Sequence, residues 1–549
     1  LKPSQLKRLS KLALRRYPSL GGLNLEQARE LASISREISR QVGLLIDRSG
    51  KAAMILVGDP SSVFIPELPR SRVGASRLRG LRLLHTHLQG EKVTQEDLMD
   101  LVFLRLDCIQ ALDAQSDGSP GGVQLAHVLP PNPEGRTTEV FPPGRVENFK
   151  VDLTALAEGL EEEMARAGGK LPADGDRERA VLVSVGSKPH PLQERSLDEL
   201  SALAETAGLA PSGRVTQRVQ SVNPKTILGR GKLAELEVLA LQAGAQVILF
   251  DQELSPAQMR NLADITERKI LDRTQLILDI FAQRATSRTG KLQVEMAQLG
   301  YALPRLVGKS RALSRLAGGI GGRGPGETKL EVDRRRVQDR ITRLKKELGK
   351  VRERRGRSRR SRAKANTPIV SLVGYTNAGK STLLNALTKS QVAAEDKLFA
   401  TLDPVSRRIR FPQEREVVFT DTVGFIRHLP AELKEAFQAT LEELDAADVL
   451  IHVADASHPE VEEQIRAVQA ILEDMSLTDR PVLLALNKWD QLDDEGRVRM
   501  RNAYPHALPI SAVRKEGLAL LVDRVLARLG GESAAPGRRR GLDSGPLTV

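Results

Sequence analysis

The chain has 549 residues, a formal net charge of +13, 3% aromatic residues and a single cysteine, Cys108. That length corresponds to roughly three or four domains; one cysteine excludes an intramolecular disulfide and points to a reducing, cytoplasmic compartment. No apolar run approaches the ~20 residues of a membrane span, while the positive charge suits a polyanionic partner and is compatible with peripheral contact with a membrane surface.

Residues 1–170 read as an α+β extension. Leu1–Arg16 is basic and faintly amphipathic, the pattern of a surface helix more than of a transit peptide, and a first residue other than Met suggests a non-standard start codon or a truncated chain. Val42 to Ile46, then Asp-Arg-Ser-Gly50, then Ala52 to Val57 predicts a β-hairpin. His85-Thr86-His87 is followed by Asp97, a set that could converge on Zn²⁺. The pattern resembles the His-x-His…Ser-x-x-Asp of JAB/MPN metallopeptidases and RadC-like proteins. It departs from them in a spacing shorter by one residue, in Thr94 for Ser, in lacking a proline after His87, and in Gln41 where a general-base Glu is expected. An amide cannot take a proton from metal-bound water, so the resemblance implies a shared fold without peptidase chemistry. Structural histidines at a strand end rank ahead of a metal site. Proline clusters at 130–133 and 142–143, then a polar, Gly-rich stretch, place a linker between about 165 and 180.

Residues 181–285 read as a small α/β domain, with strands Val181–Val185 and Gln246–Phe250 and helices Leu197–Ala207 and Leu233–Gln242. A helical hairpin over 286–365 follows. Leu292, Met296, Leu299 and Leu303, and again Val337, Ile341, Leu344 and Leu348, form apolar seams on two charged helices suited to antiparallel pairing. Pro304 predicts a kink or boundary. Between the arms, six of the nine residues from 318 to 326 are glycine, and from Lys350 to Lys364 nine of fifteen are Lys or Arg. Singly these read as a hinge and a solvated linker. Together, a basic hairpin with a glycine tip fits structured RNA, gripped through its backbone and shape; so few aromatics argue against stacking on single strands.

Residues 366–531 carry an ordered series of motifs. The apolar run Ile369–Val373 leads into Gly374-Tyr375-Thr376-Asn377-Ala378-Gly379-Lys380-Ser381, then a helical Thr382–Leu387. Strand, Gly-x-x-x-x-Gly-Lys-Ser and helix make a phosphate-binding loop, whose backbone N–H groups surround phosphate oxygens at a helix N-terminus. Lys380 would reach the outer phosphates and Ser381 would ligate Mg²⁺. Phe399-Ala400-Thr401-Leu402-Asp403 supplies Thr401 as a second Mg²⁺ ligand from a mobile loop. Asp421-Thr422-Val423-Gly424 ends another strand, with Asp421 behind the Mg²⁺ shell and the Gly424 N–H placed to sense a γ-phosphate. Asn487-Lys488-Trp489-Asp490 follows a third strand. Its carboxylate can accept both N–H groups of guanine, whereas adenine would leave Asp490 unpaired. Ser511-Ala512-Val513 suits the last guanine loop. GTP and GDP are the expected ligands. Phe425 stands where a water-orienting Gln would be, so intrinsic hydrolysis should be slow, and Asn377 resembles a residue that in other GTPases recruits K⁺ beside the phosphates.

From about Val181 to about Leu529 the chain resembles the HflX family of ribosome-associated GTPases. The carrying elements are Gly229–Lys232, Phe250–Pro256, Leu271–Thr274, Gly318–Glu331 and Asp421–Phe425; Arg230 stands where the family often has Lys. The resemblance implies an α/β multidomain protein. A Ras-like G domain follows a small α/β domain and a helical hairpin, whose glycine loop reaches toward the peptidyl-transferase centre. It further implies a Mg²⁺-dependent GTPase that binds the large ribosomal subunit and its rRNA and dissociates stalled or idle ribosomes. Catalysis would rest on Lys380, Thr401, Gly424 and Asn377. A GTP-dependent assembly factor and a tRNA-modifying GTPase are the alternatives. A monomer and a disordered tail over 532–549 are expected.

Overall fold

The computed structural model describes residues 1–66, 68, 77–132, 134, 136–169, 177–306, 329–364, 368–388, 399, 405–410, 416–421, 425, 444–475, 477 and 479–530. They fall into two compact units, Leu1–Arg273 and Thr274–Val549.

The first unit begins with α1 (Pro3–Leu14) and α2 (Leu25–Ile38) and a sheet of β1 (Val42–Asp47), β2 (Ala52–Val57), β3 (Leu81–His87), β4 (Ile109–Ala114), β5 (Pro120–Val128), β6 (Thr138–Val140) and β7 (Gly144–Arg145). Strand order is β2-β1-β3-β4-β5-β6, with β7 also against β5. The expected hairpin is there: β1 and β2 are antiparallel, Val42 opposite Val57. β3 lies antiparallel to β1 but parallel to β4. A parallel pair needs a crossover, and α3 (Gln95–Phe103) lies in that connection. Alternation along β1 sorts the faces. Val42, Leu44 and Ile46 pack with Leu9 and Leu12 of α1 and Leu31 and Ile34 of α2, while Leu45 packs with Leu101 of α3 and with Ala157 and Leu160 of α4 (Leu153–Gly169). The basic N-terminal segment is thus a packed surface helix.

A second, all-parallel sheet has β8 (Arg179–Gly186), β9 (Ala210–Arg218), β10 (Val247–Phe250) and β11 (Lys269–Asp272) in the order β11-β10-β8-β9. Its connections are α5 (His190–Thr206), α6 (Arg230–Gln242) and α7 (Pro256–Ile265). The family motifs here lock strand ends. Asp272 accepts the Leu254 N–H at 3.0 Å, and the Arg273 guanidinium forks onto Asp251 at 2.7 and 3.0 Å and reaches Glu199 at 3.0 Å. Val238 and Leu241 of α6 share a core with Leu101 and Met164, so the extension and the small domain pack together. The linker expected between them falls largely on residues 170–176, outside the described residues.

The unit division at Arg273 precedes the boundary at 285 expected from sequence. The reason is local: α8 (Arg273–Arg284) sets Phe281 edge-to-face on Phe399, ring centroids 4.6 Å apart, within the second unit. α9 (Arg288–Ala302) gives way to a 3₁₀ turn, Leu303–Leu306, at the expected proline boundary. α10 (Lys329–Lys364) runs antiparallel to α9, since Arg340 forks onto Glu295 at 2.7 and 2.8 Å while Arg288 faces Glu347 at 3.7 Å. Leu344 and Leu348 are buried as expected. On α9 the seam is rotated: Gly290, Val294, Ala297 and Tyr301 are buried beside Met296, and Leu292 and Leu299 only half-buried. Small residues set the closest approach of two helices, and counting long aliphatics overlooks them.

The G domain is a six-stranded sheet of β12 (Ile369–Val373), β13 (Val405–Arg410), β14 (Glu416–Asp421), β15 (Val449–Asp455), β16 (Val482–Asn487) and β17 (Leu508–Pro509). The order is β13-β14-β12-β15-β16-β17, and only β13 is antiparallel. It carries α11 (Lys380–Thr388), α12 (Val461–Asp474), α13 (Asp494–Ala503) and α14 (Leu518–Gly530). β12 lies between β14 and β15, where the order reverses and α/β sheets open their ligand crevice.

Candidate nucleotide site

β12 is a buried central strand that delivers the chain into residues 374–381, and α11 starts at Lys380. Glycine is required twice. At Gly374 (φ +152) a Cβ would sit 2.1 Å from the Val453 carbonyl oxygen, and at Gly379 (φ +88) 2.3 Å from Asn487 Nδ2. Asn377 is left-handed too, at φ +60, and is exposed at the loop tip. Tyr375, Thr376 and Ala378 are buried, and Thr382 is half-buried on α11. Phe425 braces the loop from the side: Thr376 N–H donates to its carbonyl at 2.9 Å, and its own N–H donates to the Gly374 carbonyl at 3.0 Å. The Phe425 ring is buried. It is a clamp on the loop, with no group to orient water.

The Lys380 ammonium donates to the carbonyls of Gly374 and Tyr375 at 3.0 and 2.8 Å. Burial pushes it down to about 8, opposed by the charge of Asp421. Asp421 is fully buried at the end of β14 and accepts the Ser381 hydroxyl at 2.6 Å. With its proton committed to Asp421, the Ser381 oxygen is a ligand atom backed by a carboxylate, which fits a Mg²⁺ ion that keeps part of its water shell.

Asn487 does not face outward to a ligand. Its Nδ2 donates to the Ala378 carbonyl at 2.9 Å and its Oδ1 accepts the Ala512 N–H at 3.0 Å, which ties three loops together. Lys488 (φ +57) pairs with Asp455 at 2.6 Å. The hydrogen bond from Ser511 holds the Asp490 carboxyl below its usual range despite some burial, and the Arg514 guanidinium, 3.5 Å away, adds to this. An ionised Asp490 is the acceptor that guanine's two N–H groups need. Arg501 lies over the Trp489 ring, 5.5 Å from its centroid, and Val513 is exposed. Asp455, Arg514 and the buried His452, pushed down to about 4 by burial and by Lys380, were not legible beforehand because no motif contains them. Phe399 is described and buried. Ala400, Thr401, Leu402, Asp403, Thr422, Val423 and Gly424 lie outside the described residues, as do the glycine-rich segment 318–328 and the tail.

The sequence also singled out His85, His87 and Asp97, and the structure brings them together, buried, in the first unit. Thr94 and Asp97 form a capping box at the start of α3.

Three family profiles match in tandem: GTP-binding GTPase N-terminal over residues 194–282, GTP-binding GTPase Middle Region over 284–362, and 50S ribosome-binding GTPase over 369–488. The GTPase HflX of Caldanaerobacter subterraneus subsp. tengcongensis is 48% identical over 350 residues, 64% of this chain and 80% of that protein. The chain belongs to the HflX family. GTPase HflX of Escherichia coli K12 is likewise 47% identical over 65% of this chain and 84% of its own. A GTP-binding protein of the archaeon Sulfolobus solfataricus, solved with GDP, aligns over 64% of this chain and 99% of its own at 25% identity and a TM-score of 0.35. As an HflX GTPase the chain is a GTP-hydrolysing, ribosome-associated enzyme. Among the described residues no helix is long and apolar enough to cross a membrane.

A phosphate held at Lys380 would favour its charged form, so binding would take up a proton wherever the free ammonium has begun to lose its own. Affinity for a fluorescent GTP analogue should therefore hold below about pH 8 and fall up to tenfold per unit above it. Lys380→Ala should bind weakly with no such slope. A wild-type affinity that stays flat to about pH 9.5 contradicts this assignment.

Proposed function

We propose that this GTPase, with GTP bound, grips the large ribosomal subunit through its rRNA, separates stalled or idle ribosomes into subunits, and departs after hydrolysis. The observation that carries the reading is the junction of two parts. The strongly basic α10 ends at Lys364, and β12, which feeds the phosphate loop, begins at Ile369. A run of basic residues suited to RNA phosphates thus precedes, within a few residues of sequence, the strand that leads into the phosphate loop. A profile described as 50S ribosome-binding GTPase matches from that same strand onward.

In this reading Lys380 and the loop N–H groups hold the outer phosphates, and Ser381 and Thr401 hold Mg²⁺, which when bound neutralises charge developing on the transferred phosphoryl group. Gly424 senses the terminal phosphate through its N–H, and Asp490 selects guanine. Phe425 contributes nothing to water positioning, so ribosomal RNA accelerates hydrolysis. Asn377, at the exposed loop tip, recruits K⁺ in place of an arginine finger.

Two measurements test this. Sucrose-gradient profiles of intact ribosomes with protein and GTP should shift toward separate subunits, and Lys380→Ala should leave them intact; ribosomes persisting at saturating wild-type protein would favour an assembly role. Ribosome-stimulated turnover in Na⁺ should fall at least about tenfold below that in K⁺, short of the ~10³ an arginine finger supplies. Equal rates in the two salts remove Asn377 from that role.

A further inference from the structure

α8 is apolar on nearly every side. Leu276, Ile277, Leu278, Ile280 and Phe281 are all buried, and only Ala282 and Gln283 on the last turn are exposed. A helix with that pattern is an interior element held from all round, so its side chains have little freedom to move. It ends at Arg284, and α9, the first arm of the helical hairpin, begins at Arg288.

Phe281 meets Phe399. Both rings are buried, at 0 and 2% exposure, with centroids 4.6 Å apart and planes at 88°. Edge-to-face aromatic pairs span centroid separations of roughly 4.5–7 Å, so this pair is packed as closely as the geometry allows. The backbone at Phe399 is left-handed, with φ +57. Glycine, and occasionally Asn or Asp, visits that region readily; a bulky residue stays there only where its surroundings over-determine it. The seat against Phe281 supplies that determination. α8 is the fixed post and Phe399 is the residue held to it.

What Phe399 holds in turn follows from chain reach. Thr401, read as a Mg²⁺ ligand, is two residues further on, and two residues span at most ~7 Å. A displaced Phe399 therefore displaces Thr401 with almost no slack between them. We propose that Phe281 is a positioning residue for GTP hydrolysis: it seats Phe399 and thereby fixes where the following residues meet the phosphates. The inference rests on the reading of Thr401 as a Mg²⁺ ligand. It makes turnover depend on a helix that precedes β12, although every nucleotide motif lies from β12 onward. It also gives the hairpin, through α8, a mechanical hold on the reaction. GDP lacks the terminal phosphate, so its binding does not draw on this contact.

The test uses the full-length chain. Phe281→Leu and Phe399→Leu keep an apolar side chain but remove the ring contact. Each should lower GTP turnover roughly 10- to 100-fold and leave the affinity for fluorescent GDP at the wild-type value. The double variant should fall no further than the singles, as expected of two residues acting as one unit. Phe281→Met, whose sulfur packs favourably on an aromatic ring, should recover most of the turnover. A measurement on the wild type covers the case in which a leucine variant fails to fold. Coupling is reciprocal, so a non-hydrolysable GTP analogue with Mg²⁺ should slow amide hydrogen exchange in α8 relative to GDP. Leucine variants with wild-type turnover, GDP affinity lost in step with turnover, or α8 exchange equal in the two nucleotides overturns the proposal. Thr401→Ala tells this failure from that of the reading beneath it. Wild-type turnover in Thr401→Ala removes that reading and the proposal with it, whereas a fall there without one in Phe281→Leu removes the proposal alone.

Discussion

The hydrogen bond from Ser381 to Asp421 is the constraint on which the G domain's chemistry rests. It spans 2.6 Å between a loop that follows β12 and the last residue of β14. Asp421 is fully buried, so its charge is tolerable only with strong partners, and these include the Ser381 hydroxyl and the charge of Lys380. One carboxylate therefore orients the Ser381 hydroxyl and supports the protonated state of Lys380. Phe425 returns to the phosphate loop through two backbone hydrogen bonds.

A comparable economy appears at the guanine end. Asn487 belongs to the Asn-Lys-x-Asp motif, yet its amide is committed to Ala378 and Ala512. It thereby holds the phosphate loop and the Ser511 loop at a fixed separation. The nearness of Gly379 to Asn487 Nδ2 explains why the loop's second glycine admits no side chain. Phe399, just ahead of Thr401, is buried against Phe281 of α8, which links the loop expected to carry the second Mg²⁺ ligand to the helices leading toward the basic arm.

Much of this was legible beforehand, for physical reasons that differ by region. The phosphate loop, the Asp421 strand end and Asn487–Asp490 sit on apolar strands of ordinary length with short, chemistry-bearing turns, so order and spacing identified them. The β1–β2 hairpin and the proline boundary after α9 followed from local turn chemistry. What escaped depends on three-dimensional packing. β9 reads Ala-Pro-Ser-Gly-Arg-Val-Thr-Gln-Arg and β11 is only four residues long, and both become strands because β8 and β10 present edges to them. The α9 seam was misplaced by a part-turn since Gly290 and Ala297 carry no long side chain to mark it. Asp455 and Arg514 belong to no motif; they matter because the fold brings them beside Lys488 and Asp490.

The account holds together only if the nucleotide's terminal phosphate governs attachment to ribosomal RNA. The most direct measurement is co-sedimentation of purified protein with isolated large subunits under three conditions: a non-hydrolysable GTP analogue, GDP, and no nucleotide. The account predicts strong attachment with the analogue and far weaker attachment in the other two. Equal attachment in all three would contradict it.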